Sequence, residues 1–201
     1  MKREMRKQQI TTAILLAIMA ITAIYQATRP DSGLLKFIRF GDTAYGHGGT
    51  NSMSVAQVAR FLDDNPDLET LVLGYMPGTS DADMNLRIAR DIRRRGMHTH
   101  LTKRSYIASG AVDLFLAGTK RTMECGARIG VHSWSSYDGT YYPAVIGRDP
   151  RQKTHEKFLS EMGIDQAFYV FTREAAPPQD IYLLKPADIE RFGLLTQASN
   201  C

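Results

Sequence analysis

Residues 106–118, Tyr-Ile-Ala-Ser-Gly-Ala-Val-Asp-Leu-Phe-Leu-Ala-Gly, constrain this chain more than any other stretch. Ala111, Val112, Leu114, Phe115 and Leu116 leave almost no polar face, so a helix here has to be buried. Gly118 stands where a left-handed residue is wanted to end it. Ser109 falls at the helix N-terminus, the usual place for a capping hydroxyl. That position has a second use. The first amides of a helix are unpaired and partly positive. A serine there, followed by the small Gly110, is also the arrangement of a nucleophile with an oxyanion donor beside it. One serine does not choose between a cap and a nucleophile.

The rest of the 201 residues alternate strands and helices. Residues 34–40 read as a first strand and the glycine-rich 41–51 as a loop or hairpin tip. Ser54 is placed to cap a helix with Val55, Val58, Ala59 and Leu62 on one face, ended by Asn65-Pro66. Residues 70–73 form a short buried strand, and Met76-Pro77-Gly78-Thr79 turns the chain. A second helix runs from about Asp81 to Gly96 with Met84, Ile88 and Ile92 inward. A strand over 97–103 leads into the serine turn. Residues 127–132 are strand-like and end at His132. Two helices are expected over 151–162 and 165–173, an extended segment over 180–184, and a last helical turn over 186–192. This alternation predicts an α/β domain over 34–198.

Residues 1–30 read differently. Lys2, Arg3, Arg6 and Lys7 precede the uncharged, mostly apolar residues 10–27. That is the pattern of a signal peptide, and close to the length of a short membrane anchor. No small-x-small cleavage site decides between them. Either one puts the domain outside the cytoplasm, periplasmic or anchored in the inner membrane. The net charge of +4 is small and sits partly in this leader. No basic, aromatic-interleaved patch argues for nucleic acid. Cys125 and Cys201 form no zinc pattern, and a single disulfide suits an exported domain. His98 and His100 share a strand face, but a third metal ligand is not evident. No metal or cofactor is therefore expected. His155 reads as a solvated residue of a charged helix. Asp113, one turn after Ser109, fits either a helix hydrogen bond or a pocket carboxylate. Trp134, Tyr137, Tyr141 and Tyr142 fit a cleft lining or a lid.

A serine hydroxyl needs a neighbouring base, and a histidine titrating near neutrality suits the task. His132, at the end of a buried strand, is the candidate. The order strand, Pro-Gly turn, helix ending in Gly, strand, Ala108-Ser109-Gly110, Leu116-Ala117-Gly118, then Ile129-Gly130-Val131-His132 resembles the Clp-type serine peptidases. These are the proteolytic-subunit branch of the crotonase-like superfamily, and the likeness is closest to its exported, stand-alone members. It covers about residues 37–196. The resemblance implies a spiral of ββα units and a peptidase. It places the nucleophile at Ser109, the base at His132 and the third residue at Asp180, in Asp180-Ile181-Tyr182-Leu183 ahead of Gly193-Leu194-Leu195. It places the oxyanion donors at the amides of Gly78 and Gly110. It also implies a peptide or protein substrate and self-association.

Two departures stand out. Thr79 follows Gly78 where the family carries a second glycine, and the spacing from Asp180 to Gly193 is about one residue long. Asp138, Asp149 and Asp165 are the alternatives to Asp180. The order Ser, His, Asp differs from that of an α/β-hydrolase. Ile107 and Ala111 also stand where Gly-x-Ser-x-Gly needs glycine, which disfavours Gly46-His47-Gly48-Gly49 as a lipase-type oxyanion loop. Two other readings are an inactive crotonase-like domain that binds partners in the envelope and a coenzyme A thioester enzyme. An exported location argues against the second.

Overall fold

The computed structural model describes residues 34–134 and 151–197. The leader, the tyrosines at 137, 141 and 142, Asp138, Asp149 and Cys201 lie outside these residues. Among the described residues no helix is long and apolar enough to cross a membrane.

Strands β1 (Lys36–Phe40) and β2 (Thr43–His47) form a tight antiparallel hairpin with Phe40 opposite Thr43. The expectation of a loop over 41–51 is thus corrected over β2. Its residues alternate, Ala44 and Gly46 facing in and Tyr45 out, which is the period of a half-buried strand. The glycines in the stretch mask that period in the sequence. Helix α1 (Ser54–Asp63) follows. Ser54 does not cap it: Met53 holds the N-cap position, and the Ser54 hydroxyl is engaged with Asn51.

From there the chain repeats one unit: a strand in a first sheet, a short strand in a second, then a helix. The first unit is β3 (Thr70–Leu73), β4 (Tyr75–Met76) and α2 (Ala82–Arg94). The next is β5 (His98–Leu101), β6 (Tyr106–Ala108) and α3 (Gly110–Leu116). The third is β7 (Arg121–Met123) and β8 (Arg128–Val131), followed after residue 150 by α4 (Gln152–Glu161). Helix α5 (Ala167–Ala175), strand β9 (Tyr182–Leu183) and helix α6 (Pro186–Arg191) close the domain. The first sheet has the order β1-β2-β3-β5-β7 and the second β4-β6-β8-β9. Within them only the edge strands β1 and β9 pair antiparallel.

Helix α3 is buried as its composition requires, with Phe115 and Leu116 fully enclosed. Burial of each such side chain contributes about 1.5–3 kcal/mol. Helix α2 begins at Asp81, whose carboxylate accepts from the Met84 amide. Gly118 corrects another expectation. Ala117 caps α3, and Gly118 does not adopt a positive φ. A Cβ there would lie 2.1 Å from Thr99 Oγ1. The residue is glycine because β5 passes against it.

The ends of three helices meet on one buried cation. Arg121 donates to the carbonyls of Leu194 (2.8 Å) and Gly118 (3.2 Å), and reaches Met162 (3.4 Å). Arg93 donates to the same Gly118 and Met162 carbonyls at 2.8 Å each. Carbonyls at helix C-termini lack intrahelical partners and carry partial negative charge, so they suit a cation. Burial, and then the Arg93 charge, lower the Arg121 pKa to about 10, and the group stays charged at neutral pH. Cys125 is disulfide-bonded.

Candidate active site

Strands β4, β6 and β8 run parallel and in register. Met76 pairs with Ile107, Ile107 with Ile129, and Ala108 with Gly130. Their C-terminal ends therefore open at one edge of the second sheet, where ligands bind in open α/β folds. The residues at those ends are Gly78, Ser109 and His132. The Ser109 N–H donates to the Gly130 carbonyl at 3.0 Å, which fixes the serine to β8.

Ser109 has φ 55° and ψ −131°, and is the only non-glycine residue with positive φ among the described residues. Its hydroxyl makes no cap bond to α3. A backbone this unfavourable costs of order 1–3 kcal/mol and persists only where its surroundings impose it. Those surroundings are visible. Gly78, at φ 134°, passes so close that a Cβ on it would meet Ser109 Cβ at 2.8 Å. A Cβ on Gly110 would meet Thr79 Cγ2 at 2.4 Å and Asn85 Nδ2 at 3.0 Å. Thr79, the departure from the expected second glycine, is accommodated by turning its methyl to Gly110. Its hydroxyl shares its one proton between the carbonyls of Asp81 (3.0 Å) and Thr50 (3.2 Å). Neither the Gly78 nor the Gly110 amide has a hydrogen-bond acceptor among the described residues.

The serine opens into a cavity of about 380 Å³, within the range of small-ligand sites. Ser109, Gly110, Asp113, His132, Trp134 and His155 line it. His132 is half-buried, and its Nδ1 is enclosed without a hydrogen bond among the described residues. Burial lowers its pKa. The backbone of Pro178 and Ser133 pulls the other way, and Arg173 lowers it further. The ring is therefore neutral at neutral pH, as a base must be. No hydrogen bond joins Ser109 Oγ to His132.

No hydrogen bond joins Asp180 to His132. Asp180 is exposed, and its carboxylate accepts from the Ile181 amide at 2.7 Å. Its neighbour Pro178 is the residue whose backbone bears on the His132 ring. Asp165 is engaged locally, accepting from the Ala167 amide at 2.9 Å.

Asp113 proves to be a pocket carboxylate and a hydrogen-bonded helix residue at once. It is half-buried, lines the cavity, and accepts from Asn85 Nδ2 at 3.2 Å. Burial raises its pKa to about 6, against the opposing pull of His155 and the Asn85 bond. His155 is not the solvated residue expected from its helix. It lines the cavity, stacks on Tyr169 at 4.9 Å, and its Nδ1 lies 3.2 Å from the Arg151 carbonyl. A carbonyl only accepts, so Nδ1 carries a proton in this contact. Trp134 belongs to the cavity wall. Arg151 and Arg173 sit over its ring at 4.5 and 5.0 Å, and its Nε1 donates to the Tyr169 hydroxyl at 3.1 Å.

The Gly46-His47-Gly48-Gly49 stretch does not line the cavity. It braces the Gly78 turn instead. Gly48 N–H donates to the Tyr75 carbonyl and Thr50 N–H to the Gly78 carbonyl. His98 and His100 bind the hydroxyls of Thr119 and Thr122 at 3.0 and 2.8 Å. No group of three or more potential metal ligands forms among the described residues.

No family model and no curated protein matches the sequence. Solved structures do share the architecture. An enoyl-CoA hydratase/isomerase family member aligns with 85% of this chain and 71% of its own, at TM-score 0.52 and 14% identity. A putative polyketide biosynthesis enoyl-CoA hydratase of Bacillus subtilis aligns with 84% of this chain and 72% of its own, at TM-score 0.52 and 11% identity. A mutant of the membrane-bound stomatin-specific protease 1510-N aligns with 79% of this chain and 80% of its own at 14% identity. Its TM-score of 0.48 is too low to bear on activity. Identities this low speak to fold and not to reaction. In its paired sheets and parallel strand order, this chain shares the fold of these enoyl-CoA hydratase structures.

Proposed function

We propose that this chain is a serine hydrolase, a Clp-type peptidase acting on peptide or protein substrates in the cell envelope. One observation carries the reading: Ser109 is held in a strained backbone, its hydroxyl withheld from capping, in a cavity it shares with His132. A plain N-cap serine has no need of that strain.

In the proposed reaction His132 takes the Ser109 proton as Oγ attacks the acyl carbon. The amides of Gly78 and Gly110 receive the oxyanion. His132 then passes the proton to the leaving amine, and water attacks the acyl-serine by the same route. Asp180 is the proposed third residue, reaching the enclosed Nδ1 of His132 once its carboxylate leaves the Ile181 amide. The low pKa of His132 keeps it neutral and ready to accept. The leader would carry the domain across the membrane, and the domain would self-associate.

The test is labelling by a fluorophosphonate probe. The reading expects labelling of the wild type and none of Ser109→Ala or His132→Ala. Labelling that survives either substitution rejects it. The Ser109–His132 bond is unmade and the Asp180 carboxylate is engaged by the Ile181 amide, which favours a second reading: a non-catalytic envelope binding domain. That reading expects a folded, unlabelled wild type.

A further inference from the structure

We propose that Asn85 is a positioning residue that sets the spacing between the Gly78 and Gly110 amides and holds Ser109 in its strained conformation. The inference rests on the reading of Ser109 as a nucleophile. Asn85 is fully enclosed on α2, among Leu86, Ile88, Ala89 and Ile92. A buried amide is costly unless every polar atom is bonded, and here each is. Nδ2 donates to the Gly110 carbonyl at 2.7 Å and to Asp113 Oδ2 at 3.2 Å. Oδ1 accepts from Thr50 Oγ1 at 2.8 Å. The amide orientation is fixed because the Gly110 carbonyl only accepts.

The two ends of this network matter. Thr50 is bonded through its backbone to both sides of the Gly78 turn: its N–H donates to the Gly78 carbonyl at 3.1 Å, and its carbonyl accepts from Ser80 N–H at 3.0 Å. Gly110 follows Ser109 directly. Asn85 is thus the side-chain link between the two turns that carry the proposed oxyanion donors. Small displacements of such donors cost rate without costing affinity. Asn85 Nδ2 and the Thr79 methyl crowd the same side of Gly110, and in this proposal they keep the serine backbone from relaxing toward an ordinary cap.

The test uses the full chain and a fluorophosphonate probe, with the maximal labelling rate and the probe's half-saturating concentration measured separately. Asn85→Leu keeps the volume and removes the amide. The expected result is a maximal rate lowered by roughly 10-fold or more, with half-saturation unchanged and helical content retained. A merely structural role would lower thermal stability without slowing the folded fraction. Should Asn85→Leu not fold, Thr50→Val, which removes only the donor to Oδ1, is expected to show the same split at smaller amplitude. A folded variant labelling at the wild-type maximal rate overturns the inference while leaving Ser109 as nucleophile. Absence of labelling in the wild type overturns both.

Discussion

Replacing Ser109 by glycine is expected to make the protein more stable while abolishing its reactivity. The residue sits at φ 55° and ψ −131°, outside the left-handed helical well and in a region that glycine enters at little cost. Relief of that strain is worth about 1–3 kcal/mol. Against it stands the greater freedom of glycine in the unfolded chain, about 0.5–1 kcal/mol. The hydroxyl makes no cap bond, so little else is lost. The net expectation is a gain of about 0–2.5 kcal/mol, or a melting temperature up to about 10 °C higher for a domain of this size. Ser109→Ala is the control: it removes the hydroxyl but keeps Cβ, and should leave stability within about 0.5 kcal/mol of wild type. Urea denaturation of the three proteins, followed by two probes to check two-state behaviour, makes the comparison. If Ser109→Gly is less stable than Ser109→Ala, the backbone is not strained, and the argument that the fold holds this serine for chemistry fails.

Arg121→Met is expected to destabilise the domain by about 2–4 kcal/mol, because the Leu194 carbonyl loses its 2.8 Å charged donor; a thermal shift under 2 °C would contradict the clasp. Asp113 binds a proton more readily folded than unfolded, its pKa raised to about 6 from 3.8. Its contribution to stability therefore falls as pH rises from about 4 to 6, by about 3 kcal/mol in all. Asp113→Asn should remove that slope, which denaturation midpoints between pH 4 and 8 would show; identical slopes would refute it. Because burial lowers the His132 pKa, the acid limb of the labelling rate should fall at a lower pH than an ordinary histidine sets. An acid limb at or above pH 6.5 would count against His132 as the base.

The sequence announces the long elements and hides the short ones. The helical period of Ile88 and Ile92, the all-apolar α3 and the capping Asp81 are legible because they repeat or punctuate, although Met84, read as inward with them, is only half-buried. The second sheet is legible only in part: residues 127–132 and 180–184 read as extended, whereas β4 and β6 span two or three residues each, too few for a period of two to register. Its strand ends nonetheless place Gly78, Ser109 and His132 side by side, so the site was reachable only through the likeness of its motifs to a known family. Asn85 carried a faint signal, a polar residue on the apolar face of a helix. His155 carried none, since its helix is polar at most positions and its stacking on Tyr169 is visible only in the structure. Asp180 shows the limit of motif reasoning: the segment arrives beside His132 while the carboxylate bonds elsewhere.

The crystal structure of the fluorophosphonate adduct tests the central claim most directly. The account predicts phosphorus bonded to Ser109 Oγ, and the phosphoryl oxygen about 2.7–3.1 Å from the amide nitrogens of both Gly78 and Gly110, with the His132 ring turned to the adduct. An adduct on another residue, or a phosphoryl oxygen facing solvent with both amides unbonded, would contradict it.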